Sequence, residues 1–261
     1  MHKAAPALAR DDRVLVISDL HLADETPSLT DFALEWLNRA INRHAPSHIW
    51  VLGDLFDAWV GDDQISLSET AQRVAHTLRE AQETGIQIGL MRGNRDFLLG
   101  ATYAQACGAS LLPDEWVGPL PDGTPTMVCH GDSLCLDDTE YLAFREQTRA
   151  PEWQQAFLAQ TLEQRLSVAR QIRAQSEAAK AGKSMEIMDI RLSAAVERLK
   201  AMGCSQLIHG HTHRPGHSPL GGDLQRWVLP DWMAPGSGHD RSRGGGLLLS
   251  QSGIQALGVF S

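Results

Sequence analysis

Five short apolar runs in this chain each stop at a small cluster of Asp, Asn or His. Arg13 to Ile17 runs into Ser18-Asp19-Leu20-His21, and His48 to Leu52 into Gly53-Asp54-Leu55-Phe56-Asp57. Ile86 to Met91 ends at Arg92-Gly93-Asn94-Arg95-Asp96, Thr126 to Cys129 at His130-Gly131-Asp132, and Gln206 to His209 at Gly210-His211-Thr212-His213. A short apolar run bounded by turn residues reads as a strand buried on both faces. Parallel sheets keep their reactive groups at the carboxyl edge of such strands. Five of them point to an α/β fold that gathers these side chains along one edge.

The segments between the strands support that reading. Pro27-Ser28 opens a helix, with Ser28 as N-cap, Asp31 three residues on, and Leu29, Phe32, Ala33, Trp36, Leu37, Ala40 and Ile41 on one stripe. Ser66 and Glu69 start a second, with Val74, Ala75 and Leu78 inward and Gly85 as its stop; a short third helix falls near Ala101 to Cys107. Asp19, Asp54, Asn94 and His130 follow one another at intervals of 35, 40 and 36 residues, each suited to one strand and its crossover. The next interval, His130 to His211, is 81 residues and holds no strand pattern. Glu152 to Ala181 lacks Pro and Gly and predicts one helix, with Trp153, Phe157, Leu162, Leu166, Ala169 and Ile172 at helical spacing. Ser184 is the expected cap of a second helix that Gly203 ends. Residues of about 138–203 therefore read as a helical insertion in the α/β body. Arg226 to Leu229, Gly246 to Ser250 and Ile254 to Phe260 read as short closing strands.

Charge and cysteine usage narrow the function classes. A net charge of −9 argues against a sequence-independent nucleic-acid binder. Residues 139–203 carry 10 Lys/Arg against 8 Asp/Glu, so the insertion is locally basic on an acidic protein. It suits the cap of an anionic substrate, or a solvated helical hairpin. The four cysteines form no C-x-x-C pair and read as reduced core residues. Met1 to Arg13 contains no apolar signal-peptide core, and no apolar run approaches the ~18–20 residues needed to cross a bilayer. Membrane contact is expected to be peripheral.

The residue types at the strand ends suit divalent cations. Asp19 with His21, and His211 with His213, are two apart and can each grip in pairs. Asp54 can bridge two ions with its two oxygens. Imidazole, carboxylate and amide oxygen without thiolate suit Mn, Fe or Zn. Two such ions against the charges of Asp19 and Asp54 leave a net positive centre, which attracts and polarises a phosphoryl group. Asp57, Asp96 and Asp132 are expected to orient ligands or backbone. His209 is expected to be buried in its strand. Asp62, Asp63 and Asp137 read as solvated loop residues.

These five blocks, in this order, resemble the calcineurin-like metallophosphoesterase superfamily over the whole α/β body. The resemblance implies a β-sandwich flanked by helices (αββα), one domain over 1–261 whose insertion forms a lid, and two divalent ions, Mn2+ being expected. One ion would be held by Asp19, His21, Asp54 and His213, the other by Asp54, Asn94, His130 and His211. Many members carry Gly-Asn-His-Asp/Glu, whereas here the block is Gly93-Asn94-Arg95-Asp96-Phe97. With Ser18 to Leu22, His130 to Asp138, Ser176 to Lys183 followed by Ser184 to Asp189, and His209 to Pro215, nearly the whole chain resembles the UDP-2,3-diacylglucosamine pyrophosphatase family of lipid A synthesis.

That family resemblance implies attack of a metal-activated water on the α-phosphorus. The products would be UMP and 2,3-diacylglucosamine 1-phosphate, formed at the cytoplasmic face of the bacterial inner membrane, with no protein partner implied. It assigns substrate contacts to Asn94, Arg95, Asp138, Ser176, Lys180, Lys183 and His211, of which Asn94, Arg95 and His211 would be catalytic. Lys180 stands where the family commonly has Asn. Arg95 suits a phosphate leaving group, which needs charge stabilisation more than a proton. Trp153, Phe157 and Ile172 are expected to shelter acyl chains, or to pack helix on helix. Two other readings are a phosphoesterase for a soluble phosphodiester or phosphoprotein, and a metal-free binding scaffold. The scaffold would be expected to have lost ligand positions, and all seven are present.

Overall fold

A computed structural model describes residues 7–180, 189–235 and 242–258, the side chains of 176–180 excepted. One sheet contains β1 (Val14–Ile17), β2 (His48–Leu52), β3 (Gln87–Met91), β4 (Ala109–Leu111), β10 (Gly245–Ser250) and β11 (Gly253–Gly258), in the order β11-β10-β1-β2-β3-β4. Its β1 to β4 are parallel, and β10 returns antiparallel against β1. The second sheet contains β5 (Glu115–Pro119), β6 (Pro125–Cys129), β7 (Gln206–His209), β8 (Gly216–Gly221) and β9 (Leu224–Val228), in the order β5-β6-β7-β9-β8. Here β6, β7 and β9 are parallel and the outer strands antiparallel.

The alternation of side chains along β1 explains the layering. Val14 and Val16 point to one face, where with Trp50, Leu52, Met91, Leu247 and Leu249 they meet Trp116, Val128 and Ile208 of the second sheet. The Trp50 and Trp116 rings lie 5.0 Å apart at the centre of this layer. Leu15 and Ile17 point to the other face, with Ile49, Val51, Ile88 and Leu90, against the helices α1 (Pro27–His44), α2 (Glu69–Glu83) and α3 (Ala101–Ala106). Behind the second sheet, Met127, Cys129 and Leu207 bury Ala195 and Leu199 of α7 (Leu192–Met202). Each fully buried aliphatic side chain contributes roughly 1.5–3 kcal/mol. The result is the expected helix–sheet–sheet–helix sandwich, with all four cysteines buried and free.

Several expected boundaries shift for local reasons. Pro27 takes the first helical position of α1, so Thr26 and not Ser28 precedes the helix. The cap of α2 is Ser68, whose hydroxyl accepts the Ala71 N–H at 3.0 Å, two residues after Ser66. The single helix expected over 152–181 is instead α5 (Pro151–Leu158) and α6 (Leu162–Lys180), preceded by α4 (Thr139–Arg149). A reciprocal box starts α6: Thr161 Oγ1 accepts the Gln164 N–H and Gln164 Oε1 accepts the Thr161 N–H. Ser184 lies outside the described residues, and α7 begins at Leu192 and ends at Gly203 with φ of 65°. The strands β4, β5 and β8 were not expected from the sequence pattern.

Candidate metal centre

The five strand ends meet at one rim of the sandwich. Asp19, His21, Asp54, His211 and His213 all adopt left-handed backbone, with φ between 49° and 66°. Among the described non-glycine residues only Ala45, at the end of α1, shares this conformation. Left-handed backbone costs such residues about 1–3 kcal/mol each and persists where the surroundings demand it. The turns also approach one another closely. A Cβ at Gly53 would lie 2.5 Å from Gly93 Cα, so the Asp54 and Asn94 loops touch backbone to backbone.

The side chains divide around the two oxygens of Asp54. On one side, His21 Nε2 is 3.9 Å from Asp54 Oδ2 and 3.2 Å from His213 Nε2, and His213 Nε2 is 3.5 Å from Asp19 Oδ1. On the other, His130 Nε2 is 3.6 Å from Asp54 Oδ1, while Asn94 Oδ1 lies 3.0 Å from His130 Nε2 and 2.8 Å from His211 Nδ1. Donor atoms of Asp19, His21 and His213 fall within 4.8 Å of one another, as do those of Asp19, Asp54 and His130. The seven candidate ligands thus lie at one rim, with Asp19 in reach of donor atoms on both sides of Asp54.

Electrostatics fit the same use. Asp19 and Asp54 are buried, and burial with Asp96 and Asp19 nearby pushes the Asp54 carboxyl up to about 7. Burial alone would depress His130, yet Asp54, Asp19 and Asp132 hold it up at about 9. The carboxylates at this rim demand positive charge, which a divalent cation supplies. Burial lowers His21 to about 3 and His211 to about 4, leaving both neutral with lone pairs to offer. His130 Nδ1 lies 2.8 Å from the Leu52 carbonyl, which directs Nε2 to the cluster. His21 Nδ1 is buried without a hydrogen-bond partner.

Asp96 serves the backbone, as expected. It accepts the N–H groups of Asp54, Leu55 and Gly93. Asp132 accepts Tyr141 Oη at 2.5 Å and Arg145 Nε at 2.8 Å, both from α4. Asp57 pairs with Arg173 of α6. Asp62, Asp63 and Asp137 are not merely solvated. Asp62 accepts Trp59 Nε1 and the N–H groups of Gly100 and Tyr103 at the start of α3. Asp63 pairs with the buried Arg165 of α6, which also donates to the Val60 carbonyl at 2.6 Å. Asp137 pairs with Arg191. Apart from Trp59, their partners lie far along the chain, which local loop patterns do not reveal.

A cavity of about 560 Å³ opens from the cluster. His21, Asp54, Asn94, His211 and His213 line its polar end, with Arg95 and Asp138 beside them. Asp138 also caps α4, accepting the Tyr141 N–H at 3.1 Å. Phe97, Phe144, Trp153, Phe157 and Ile172 form the apolar wall, with Trp153 and Phe157 stacked at 4.7 Å. The expected contacts Ser176, Lys180 and Lys183 lie outside the described side chains. Arg149 had no signal in the sequence: it donates to the Gly93 carbonyl at 2.8 Å and lies 5.5 Å over the Phe97 ring.

Comparison with known proteins agrees with this geometry. The calcineurin-like phosphoesterase family pattern matches residues 12–215. A UDP-2,3-diacylglucosamine hydrolase of Cellvibrio japonicus is 44% identical over 234 residues, covering 88% of this chain and 95% of that one. Relatives with the same name from Chromobacterium violaceum (44% over 243 residues, 92% and 96% covered) and Bordetella pertussis (40% over 252 residues, 95% of each) match at similar extent.

Proposed function

The chain belongs to the calcineurin-like phosphoesterase family, and from that premise we propose that it hydrolyses the diphosphate of UDP-2,3-diacylglucosamine in lipid A biosynthesis. The products are UMP and 2,3-diacylglucosamine 1-phosphate. The observation that supports this reading is that one cavity runs from His21, Asp54, Asn94, His211 and His213 of the cluster to an aromatic and aliphatic wall. A diphosphate needs the first and acyl chains need the second.

Asp19, His21, Asp54 and His213 would hold one cation, and Asp54, Asn94, His130 and His211 the other, with Mn2+ the expected ion. When bound, the pair supplies Lewis acidity, lowering the pKa of a water and polarising a phosphoryl oxygen. The protein supplies orientation and charge. Asp54 fixes the spacing of the two halves, and Arg95, on the same loop as Asn94, offers a permanent cation to the departing lipid phosphate. Attack at the α-phosphorus leaves that phosphate as an anion of low basicity, so no general acid is required.

The helices α4 to α6 act as a lid within one domain over 1–261. Arg149, Arg165 and Arg173 fasten them to the loops of the site. Ser176 and Lys180 belong to the last turns of α6, and with Lys183 they are the further substrate contacts that the family resemblance implies. No helix of the described residues is long and apolar enough to cross a membrane. A peripheral contact at the cytoplasmic face of the inner membrane would let the lid take substrate from the lipid surface.

Turnover of UDP-2,3-diacylglucosamine compared with a UDP-sugar lacking acyl chains tests the reading. Preference for the acylated substrate by about 100-fold or more is expected in kcat/KM. Comparable turnover would transfer the site to soluble diphosphates. In 18O-water, label should enter UMP; label in the lipid phosphate would refute attack at the α-phosphorus.

A further inference from the structure

His209 is fully buried at the end of β7, two residues before His211, and nothing in the proposed reaction uses it. Its partners define its protonation. Arg226 Nε donates to His209 Nε2 at 2.9 Å, and a guanidinium can only donate, so Nε2 is the bare acceptor. The proton is therefore on Nδ1, which lies 2.7 Å from the Gly210 carbonyl and donates to it. Arg226 is itself held by Asp189, whose Oδ1 accepts Arg226 Nη2 at 2.7 Å and whose Oδ2 accepts Arg214 Nη1 at 2.9 Å.

The carbonyl that His209 holds belongs to a strained turn. Gly210 O also accepts the Thr212 N–H at 2.7 Å, which closes a γ-turn centred on His211 with φ of 66°. A γ-turn with positive φ is rare and strained. The other end of the same peptide unit, the His211 N–H, donates to both oxygens of Asp19 at 3.1 and 2.9 Å. One peptide plane is thus pinned on one side by His209 and on the other by a candidate ligand of the first cation. The residue it presents, His211, is a candidate ligand of the second. His209 also packs under Gly131, next to His130: a Cβ at Gly131 would lie 2.8 Å from His209 Nδ1.

We infer that His209, locked as one tautomer by Arg226 and Asp189, is a positioning residue that holds the γ-turn presenting His211 to the metal centre. It touches neither substrate nor cation and acts through the Gly210 carbonyl. The inference rests on the proposed role of His211 as a ligand. Because Asp189 lies three residues before α7, the same chain of bonds ties the approach to α7 to the His211 turn.

Asn can place its amide N–H where His Nδ1 donates, and Gln can turn its amide oxygen to where His Nε2 accepts from Arg226. His209→Asn therefore keeps the donor to Gly210, whereas His209→Gln keeps contact with Arg226 and loses that donor. Mn2+ titration of the two variants and the wild type reads the difference without any substrate. His209→Gln is expected to lose about 10–100-fold in affinity at one of two sites and as much in kcat, with KM within about 3-fold. His209→Asn is expected to stay within about 3-fold of wild type in both. Equal losses in Asn and Gln variants, or a Gln variant that binds both ions as wild type does, would overturn the inference. Should His209→Gln fail to fold, Asp189→Asn carries the test. It is expected to weaken one Mn2+ site by about 3–10-fold with the unfolding midpoint maintained, and unchanged affinity overturns the inference. A wild-type protein that binds two Mn2+ but releases no UMP sinks the functional reading alone, and one that binds no Mn2+ sinks both.

Discussion

The carboxylate of Asp96 lies beneath Asp54 and takes up its backbone, accepting the Asp54 N–H at 3.2 Å and the neighbouring Leu55 and Gly93 N–H groups at 2.8 and 2.7 Å. Asp54 can therefore turn through left-handed backbone and still leave no buried N–H unpaired at this point. Asp96→Ala strips the acceptor from all three donors, at about 1 kcal/mol or more each. A loss of roughly 3 kcal/mol in urea unfolding of the metal-free protein is expected, with activity down about 100-fold. Unaltered unfolding would mean that the loop holds itself.

Asp54 faces candidate ligands of both ions, so its removal should not be selective. Asp54→Asn fits the same space but deletes one of the two ligand charges. Metal analysis after gel filtration is expected to find both ions lost together. A variant retaining two tightly bound ions per chain would show that Asp54 does not bridge them.

The apolar wall is expected to act on binding rather than on the chemical step. Trp153 stacks on Phe157 and lies 6.1 Å from Phe97. Trp153→Ala should raise KM for the diacylated substrate by about 10-fold, matching the lower range for one buried apolar side chain, with metal content unchanged. A fall in kcat at constant KM would place Trp153 outside the acyl site.

Arg165 is buried on α6, and Asp63 supplies its carboxylate partner. Asp63→Ala is expected to cost about 2 kcal/mol and to expose the Ala159–Thr161 break between α5 and α6 to protease. The Arg165 hydrogen bond holds the Asp63 carboxyl below its usual 3.8. A depressed carboxylate stabilises above its unfolded pKa, so this contribution is present above about pH 4 and is lost as pH falls through the folded value. The stability difference between wild type and Asp63→Ala should shrink as pH falls below the usual carboxylate value of 3.8. A constant difference would assign the effect to packing.

The strands and their polar ends were legible in the sequence because both are local. An apolar run and the residue that follows it sit side by side in the chain, and Asp, Asn and His at those ends leave few chemistries open. The partition of Val14 and Val16 from Leu15 and Ile17 follows from alternation alone. What stayed hidden depends on distant partners. Asp63 looks like loop solvation until Arg165, 102 residues on, reaches back to it. The break before α6 was written locally, as Thr161 with Gln164 three residues later, but the absence of Pro and Gly concealed it. The strand β5 alternates buried Trp116 with half-buried Glu115 and exposed Val117, too short a pattern beside Gly118 and Pro119 to stand out. His209 was legible as buried, but its hold on the His211 turn needs Arg226 and Asp189 in place.

The most direct test is release of UMP from UDP-2,3-diacylglucosamine by the purified protein with added Mn2+, beside a chelated control and Asp54→Asn. Stoichiometric UMP and 2,3-diacylglucosamine 1-phosphate are expected only with wild type and metal. UMP at no more than the chelated background, from wild-type protein carrying two ions, would contradict the assignment.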